Sequence, residues 1–184
     1  MSRVIFQFCS FLSDGGAIFI NPGASVSLVE VAFSHCFATG NGGAIFNMGG
    51  SLTLSDVTFY GSLSYEGSGS DIAVNQTGSL AWNGGSSNGL GDSIFENRYQ
   101  ALFGGSMWLN DASTATVSNV QFMGQRVRGL TTDGEGWGGG VLYSEGDNVE
   151  IRFENVKTND TFSGSVGGIV DLVKKTPNSS VSFF

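Results

Sequence analysis

The feature that most limits how this chain can fold is a short apolar pattern that keeps returning with a glycine pair behind it. Leu54-Ser55-Asp56-Val57-Thr58-Phe59 reads L-x-x-V-x-F, and the pattern recurs as Leu28…Val31…Phe33 and as Val117…Val120…Phe122. Met1…Val4…Phe6 fits in register, Leu90…Ser93…Phe95 is a weaker copy, and Phe153…Val156…Thr158 is a decayed one. The closing positions 6, 33, 59, 95, 122 and 158 are separated by 27, 26, 36, 27 and 36 residues. A Gly pair follows at Gly15-Gly16, Gly42-Gly43, Gly104-Gly105 and Gly167-Gly168. The third copy offers Ser68-Gly69, and the fifth reaches Gly138-Gly139-Gly140 after an insertion around Thr131 to Trp137. A unit repeated at this period cannot bury its apolar face alone. It stacks on its neighbours, and insertions collect in one loop per repeat.

The segments behind the Gly pairs are short, rich in β-branched and aromatic residues, and bounded by Gly, Asn and Ser, which is strand punctuation. They alternate with period two: Ile18 and Ile20, Ile72 and Val74, Met107 and Leu109, Val170 and Leu172. Copies two and five keep Ile45 and Leu142 in the first column but carry Asn47 and Ser144 in the second. An aliphatic first column in every copy predicts that this column faces a core. Polar turns follow, at Asn21-Pro22-Gly23, Asn47-Met48-Gly49-Gly50, Asn75-Gln76-Thr77-Gly78 and Asn110-Asp111. Three short strands fit into about 26 residues. The expected fold is therefore all-β, a right-handed parallel β-helix of about six rungs over residues 1–184, one domain with loop insertions. The opening Met1 to Leu12 also mimics a short signal peptide, but the same residues fit the repeat. Both ends read as cut across a repeat, so a fragment of a longer solenoid is expected, with a unit that stacks end to end as the alternative.

Composition removes several functions. The chain carries 8 Lys and Arg against 16 Asp and Glu, a net charge of −8, and no Lys or Arg lies between Arg3 and Arg98. A nucleic-acid partner needs a basic patch, so none is expected. No apolar run is long enough for a transmembrane segment. With 29 Gly, 2 Pro and 15 Phe the chain reads as packed and rich in tight turns rather than disordered.

If the Ile column points inward, the residues after it point outward: Phe19, Phe46, Trp108 and Tyr143, interrupted by Ala73 and Asp171. Stacked in register, the four aromatics form a ladder. It is either an exposed surface for sugar rings or a partner chain, or a peripheral core covered by an insertion. Cys9 and Cys36 stand one repeat apart, each three residues after its Phe. That spacing permits a disulfide, with stacked buried thiols as the preferred reading, and two lone cysteines form no metal site.

The run F-x-x-C-x-x-x-x-x-G-G-A-I-F, present from Phe6 to Phe19 and from Phe33 to Phe46, resembles the repeat of the polymorphic outer-membrane proteins, the chlamydial adhesin-autotransporters. That repeat joins a Gly-Gly-Ala-Ile motif to a Phe-x-x-Asn motif, and similar repeats occur in large surface proteins of protists and algae. Phe95 to Arg98 with Gly104 to Trp108 is a moderate match. Cys9, Cys36 and Arg98 stand where the family has Asn. The resemblance implies an adhesin-like or structural β-helix located extracellularly or at the cell surface. Its partners would be surface glycans, proteins or neighbouring copies of the same solenoid. The sequons at Asn75, Asn159 and Asn178 are compatible with a secreted setting.

No catalytic or cofactor signature is present. His35 is the only histidine, there is no phosphate-binding Gly loop, and the best acidic group is Asp133, Glu135, Glu145, Asp147 and Glu150, near Arg126, Arg128 and Trp137. Its spacing is not that of metal ligands, although calcium is a weak expectation there. Ice binding would need a regular Thr-x-Thr column, and none is legible. The expectation is a non-enzymatic adhesive or structural protein. The alternatives are a carbohydrate-binding or polysaccharide-cleaving β-helix and a self-assembling filament segment.

Overall fold

A computed structural model describes residues 4–89, 104–127, 138–159, 162–163, 169–174 and 179–184. The weak copy Leu90…Phe95, the pair Gly167-Gly168, and Asp133, Glu135, Arg128, Trp137 and Asn178 lie outside these residues. The described chain is all-β, and every strand pairing in it is parallel. Each repeat lays its strands beside those of the next, so the sheets run across the repeats. One sheet is built from Val4–Gln7, Ser25–Val29 with Val31–Ser34, Ser51–Tyr60, Ser79–Asn88, Thr114–Ser118 with Gln121–Met123, Glu150–Glu154 with Lys157–Asn159, and Ser180–Phe183. A second holds the strands behind the Gly pairs: Ile18–Ile20, Ile45–Met48, Ile72–Asn75, Met107–Asn110, Leu142–Gly146 and Val170–Lys174. Two-residue strands at Ser10–Phe11, Phe37–Ala38 and Leu63–Ser64 form a third. Val4–Gln7 and Ser10–Phe11 pair in register with the second copy, so the apolar opening is used as a repeat.

The Gly pair has two separate causes. Its first member adopts a left-handed φ, +72° at Gly15 and +65° at Gly42, where a side chain costs energy. The second lies against the next repeat: a Cβ on Gly43 would stand 2.2 Å from the Ser70 carbonyl oxygen. The hydrogen-bond register aligns Gly42 with Gly69 and Gly43 with Ser70, so the third copy presents Gly69-Ser70 and not Ser68-Gly69.

The inward columns are as expected. Ile45, Ile72, Met107 and Leu142 are fully buried, with Ile20, Val74 and Leu109 on the same face. The Phe column stacks repeat over repeat. Phe6 and Phe33 lie 5.0 Å apart at 7°, and Phe33 and Phe59 lie 5.0 Å apart at 9°. At the fourth repeat the sequence reading fails. Ser87, not Phe95, pairs between Phe59 and Phe122. Its small side chain leaves room that the neighbouring column fills. Trp82 stands where the other repeats carry Leu28, Leu54 and Val117, and its ring is edge-on to both Phe59, at 5.3 Å, and Phe122, at 5.5 Å. The aromatic stack therefore continues through a residue five positions earlier in the chain.

Candidate functional site

The predicted aromatic ladder exists as a column: Phe19, Phe46, Ala73, Trp108 and Tyr143 are register partners across five repeats. It is not an open surface. Phe46, Trp108 and Tyr143 are buried with Ala73 in a small cluster of their own, outside the main core, and Phe19 alone is exposed, at 43%. Phe19 lies 5.3 Å from Phe46. The Tyr143 hydroxyl donates to Glu145 at 3.3 Å. The Trp108 indole nitrogen is buried with no hydrogen-bond partner. Asp171 pairs with Tyr143 at the next repeat, as the alternation requires.

The open face is elsewhere. On the long sheet, Ser25 pairs with Ser51, Ser51 with Ser79, and Ser79 with Thr114. Two residues on, Ser27, Thr53, Ala81 and Thr116 form a second column, and Val29, Ser55, Asn83 and Ser118 a third. These positions alternate with the buried Leu52, Leu54, Leu80, Trp82, Ala115 and Val117, so they point outward, exposed or half-buried. Across four repeats the columns hold hydroxyl, amide and small apolar groups and no charge. Amide groups brace one edge: Asn119 donates to Asn83 at 2.9 Å, and Asn155 to Asn119 at 2.8 Å. Within these three columns charge enters only with Glu150, Arg152 and Glu154 in the next repeat, where Arg152 sits 4.4 Å over the Phe184 ring, while the same edge carries the exposed Glu30 and Asp56 in the earlier repeats. A true Thr-x-Thr occurs once, at Thr114 and Thr116.

A second unforeseen feature lies inside. Asp71 occupies the column of Ala17 and Ala44 and is buried. Its carboxylate accepts from Ser87 Oγ and, at 2.7 Å, from Ser106 Oγ. Gln125 Nε2 donates to Ser87 Oγ at 2.7 Å. Gln125 lies three residues after Phe122, and Ser62 three after Phe59, the spacing that Cys9 and Cys36 keep from Phe6 and Phe33. Three repeat positions that are Ala, Phe or Cys in the first two repeats thus hold five polar residues in the middle ones. Burial pushes the Asp71 carboxyl up to about 7, and the hydroxyls of Ser87 and Ser106 that donate to it limit the rise by favouring the charged form. Nothing in the sequence pattern marks this group, because each member is an ordinary polar residue until the repeats are stacked.

The remaining candidates are dispersed. Glu145 and Asp147 are half-buried and Glu150 is exposed on the outer face. Among the described residues no group of three or more acidic, His or Cys side chains could hold a metal ion. His35 is a corner residue with φ +52°, sandwiched between Phe8 and Tyr60 and bonded to Ser34 Oγ at 2.9 Å. No helix of the described residues is long and apolar enough to cross a membrane. Asn75 is half-buried and its amide oxygen accepts from Gln76 N, whereas Asn159 is exposed. The chain matches no family model, no curated protein and no solved structure.

Proposed function

We propose that the parallel sheets close into a right-handed β-helix, a single domain serving as a non-enzymatic extracellular or surface scaffold with an adhesive role toward uncharged polar polymers. The observation that carries this reading is the outward face of the long sheet. Its aligned Ser, Thr and Asn columns are uncharged across four repeats, in a chain whose net charge is −8. Parallel strands repeat about every 4.8 Å, so such a face offers donors and acceptors in a regular array. Each hydrogen bond contributes only about 1 kcal/mol net, and affinity then comes from many equivalent contacts along an extended chain such as a surface glycan. The buried Trp108 and Tyr143 leave sugar stacking to Phe19 alone among the ladder residues.

A panel of neutral polysaccharides, probed with and without calcium and read for retention and for chain cleavage, tests the proposal. Retention is expected without cleavage, weakened about tenfold or more in Thr53→Lys and Thr116→Lys, since about 1.4 kcal/mol is a factor of ten. Both positions are exposed, so the melting temperature should barely move. Retention indifferent to both substitutions would overturn the assignment of the face. Cleavage would replace the adhesive reading with a catalytic one.

A further inference from the structure

Cys9 and Cys36 are free thiols at one corner of neighbouring repeats. The strands on both sides of each cysteine are in register, Gln7 with Ser34 and Ser10 with Phe37, which sets Cys9 directly beside Cys36. The corner residues before them, Phe8 and His35, share the same left-handed φ and stack ring on ring at 5.4 Å. The Phe37 amide donates to the Cys9 carbonyl at 2.8 Å. In-register parallel neighbours lie about 4.8 Å apart, within the roughly 4.4–6.8 Å between Cα atoms that a disulfide spans. The Cys36 sulfur also reaches toward the first repeat, 3.7 Å from the Phe6 carbonyl oxygen. The pair is closed, because the third repeat carries Ser62 at this corner. The two thiols differ in access: Cys9 is half-buried and Cys36 is fully buried.

From this geometry we infer that Cys9 and Cys36 form a redox-active pair that closes into an inter-repeat disulfide by exchange with a low-molecular-weight disulfide such as oxidised glutathione. The Cys9 thiolate attacks one glutathione sulfur. A Cys9–glutathione bond forms, the glutathione S–S bond breaks, and one glutathione leaves as its thiolate, taking up a proton. Cys36 then loses its proton and its sulfur attacks Cys9 Sγ, expelling the second glutathione. Two protein thiols are oxidised by two electrons, and one glutathione disulfide is reduced to two thiols. The order follows from access: the reagent meets Cys9, and only the bound adduct meets Cys36. Burial raises the Cys36 thiol above its ordinary value, and this cause persists once Cys9 is held in the adduct. The second step is therefore the slow one, since the thiolate is the nucleophile. The inference is independent of the adhesive reading.

The test is intact-mass analysis of the folded chain incubated with oxidised glutathione at mildly alkaline pH. Wild type should gain one glutathione and then lose it, leaving a monomer two hydrogens lighter, with a Cys9–Cys36 link in the peptide map. Cys36→Ser should keep the adduct, and Cys9→Ser should take none while folded. The closed form should melt at higher temperature than the reduced one. A wild-type adduct that never resolves, a failure to react, or cross-linking between molecules would each overturn the inference. These wild-type readouts decide even if a variant does not fold.

Discussion

Replacing Asp71 with Asn should flatten the dependence of stability on pH. The folded protein holds the Asp71 proton more tightly than the unfolded chain, because the carboxyl is buried and its ordinary value of 3.8 is pushed to about 7. Protons then bind preferentially to the folded state between these two values. The stabilisation linked to this is fully present below about pH 4, falls as pH rises toward 7, and stays lost above it. At about 1.4 kcal/mol per tenfold change in proton affinity, the loss is roughly 4 kcal/mol, a large share of the total stability of a small domain. Asn is neutral at every pH and keeps an oxygen acceptor for Ser87 and Ser106. The variant's stability should follow only the other titrating groups. Urea unfolding followed by tryptophan fluorescence, to which the buried Trp82 and Trp108 contribute, gives both curves. Subtracting one from the other cancels the background. The difference should move in favour of the Asp71→Asn variant by up to about 4 kcal/mol between about pH 4 and pH 8. Parallel curves would refute the reasoning, and would mean that Asp71 titrates near its ordinary value and is solvated in solution.

Two further outcomes follow from the packing. Trp82→Leu alone should cost about 2–4 kcal/mol by opening a cavity between Phe59 and Phe122, and Ser87→Phe alone about 1–3 by overpacking, with a further cost for the hydroxyl lost to the buried Asp71 and Gln125. The double variant restores the Phe and Leu columns of the neighbouring repeats, though not the hydroxyl at Ser87, so the packing part of the loss should be clearly less than the sum, a coupling that denaturant titration of all four proteins would measure. Trp108→Ser should lower the melting temperature steeply because the ring is buried, whereas Phe19→Ser in the same column, exposed at 43%, should cost under about 1 kcal/mol. Equal effects from the two would contradict the burial of the column.

Local chemistry made part of this protein legible in its sequence. The period-two aliphatics, the Gly pairs and the Asn-Gly turns each act through their own backbone and immediate neighbours. They are visible without knowing what lies beside them, and they were enough for parallel stacking in register and for the buried columns at Ile45, Ile72, Met107 and Leu142. What depends on which residue sits above which was decided only by the stacking. The spacing rule put Phe95 in the fourth repeat's Phe position, because it counts residues. The register puts Ser87 there, and Trp82 fills the gap from another column. The same stacking gathers Asp71, Ser87, Ser106 and Gln125 into one buried group from positions up to 54 residues apart. It also lines up Ser51, Ser79 and Thr114 although their sequence intervals differ. Alternation tells which way a side chain points from its strand, but not whether something else covers it. The outward Phe46, Trp108 and Tyr143 were therefore identifiable as a column from sequence, and their burial was not.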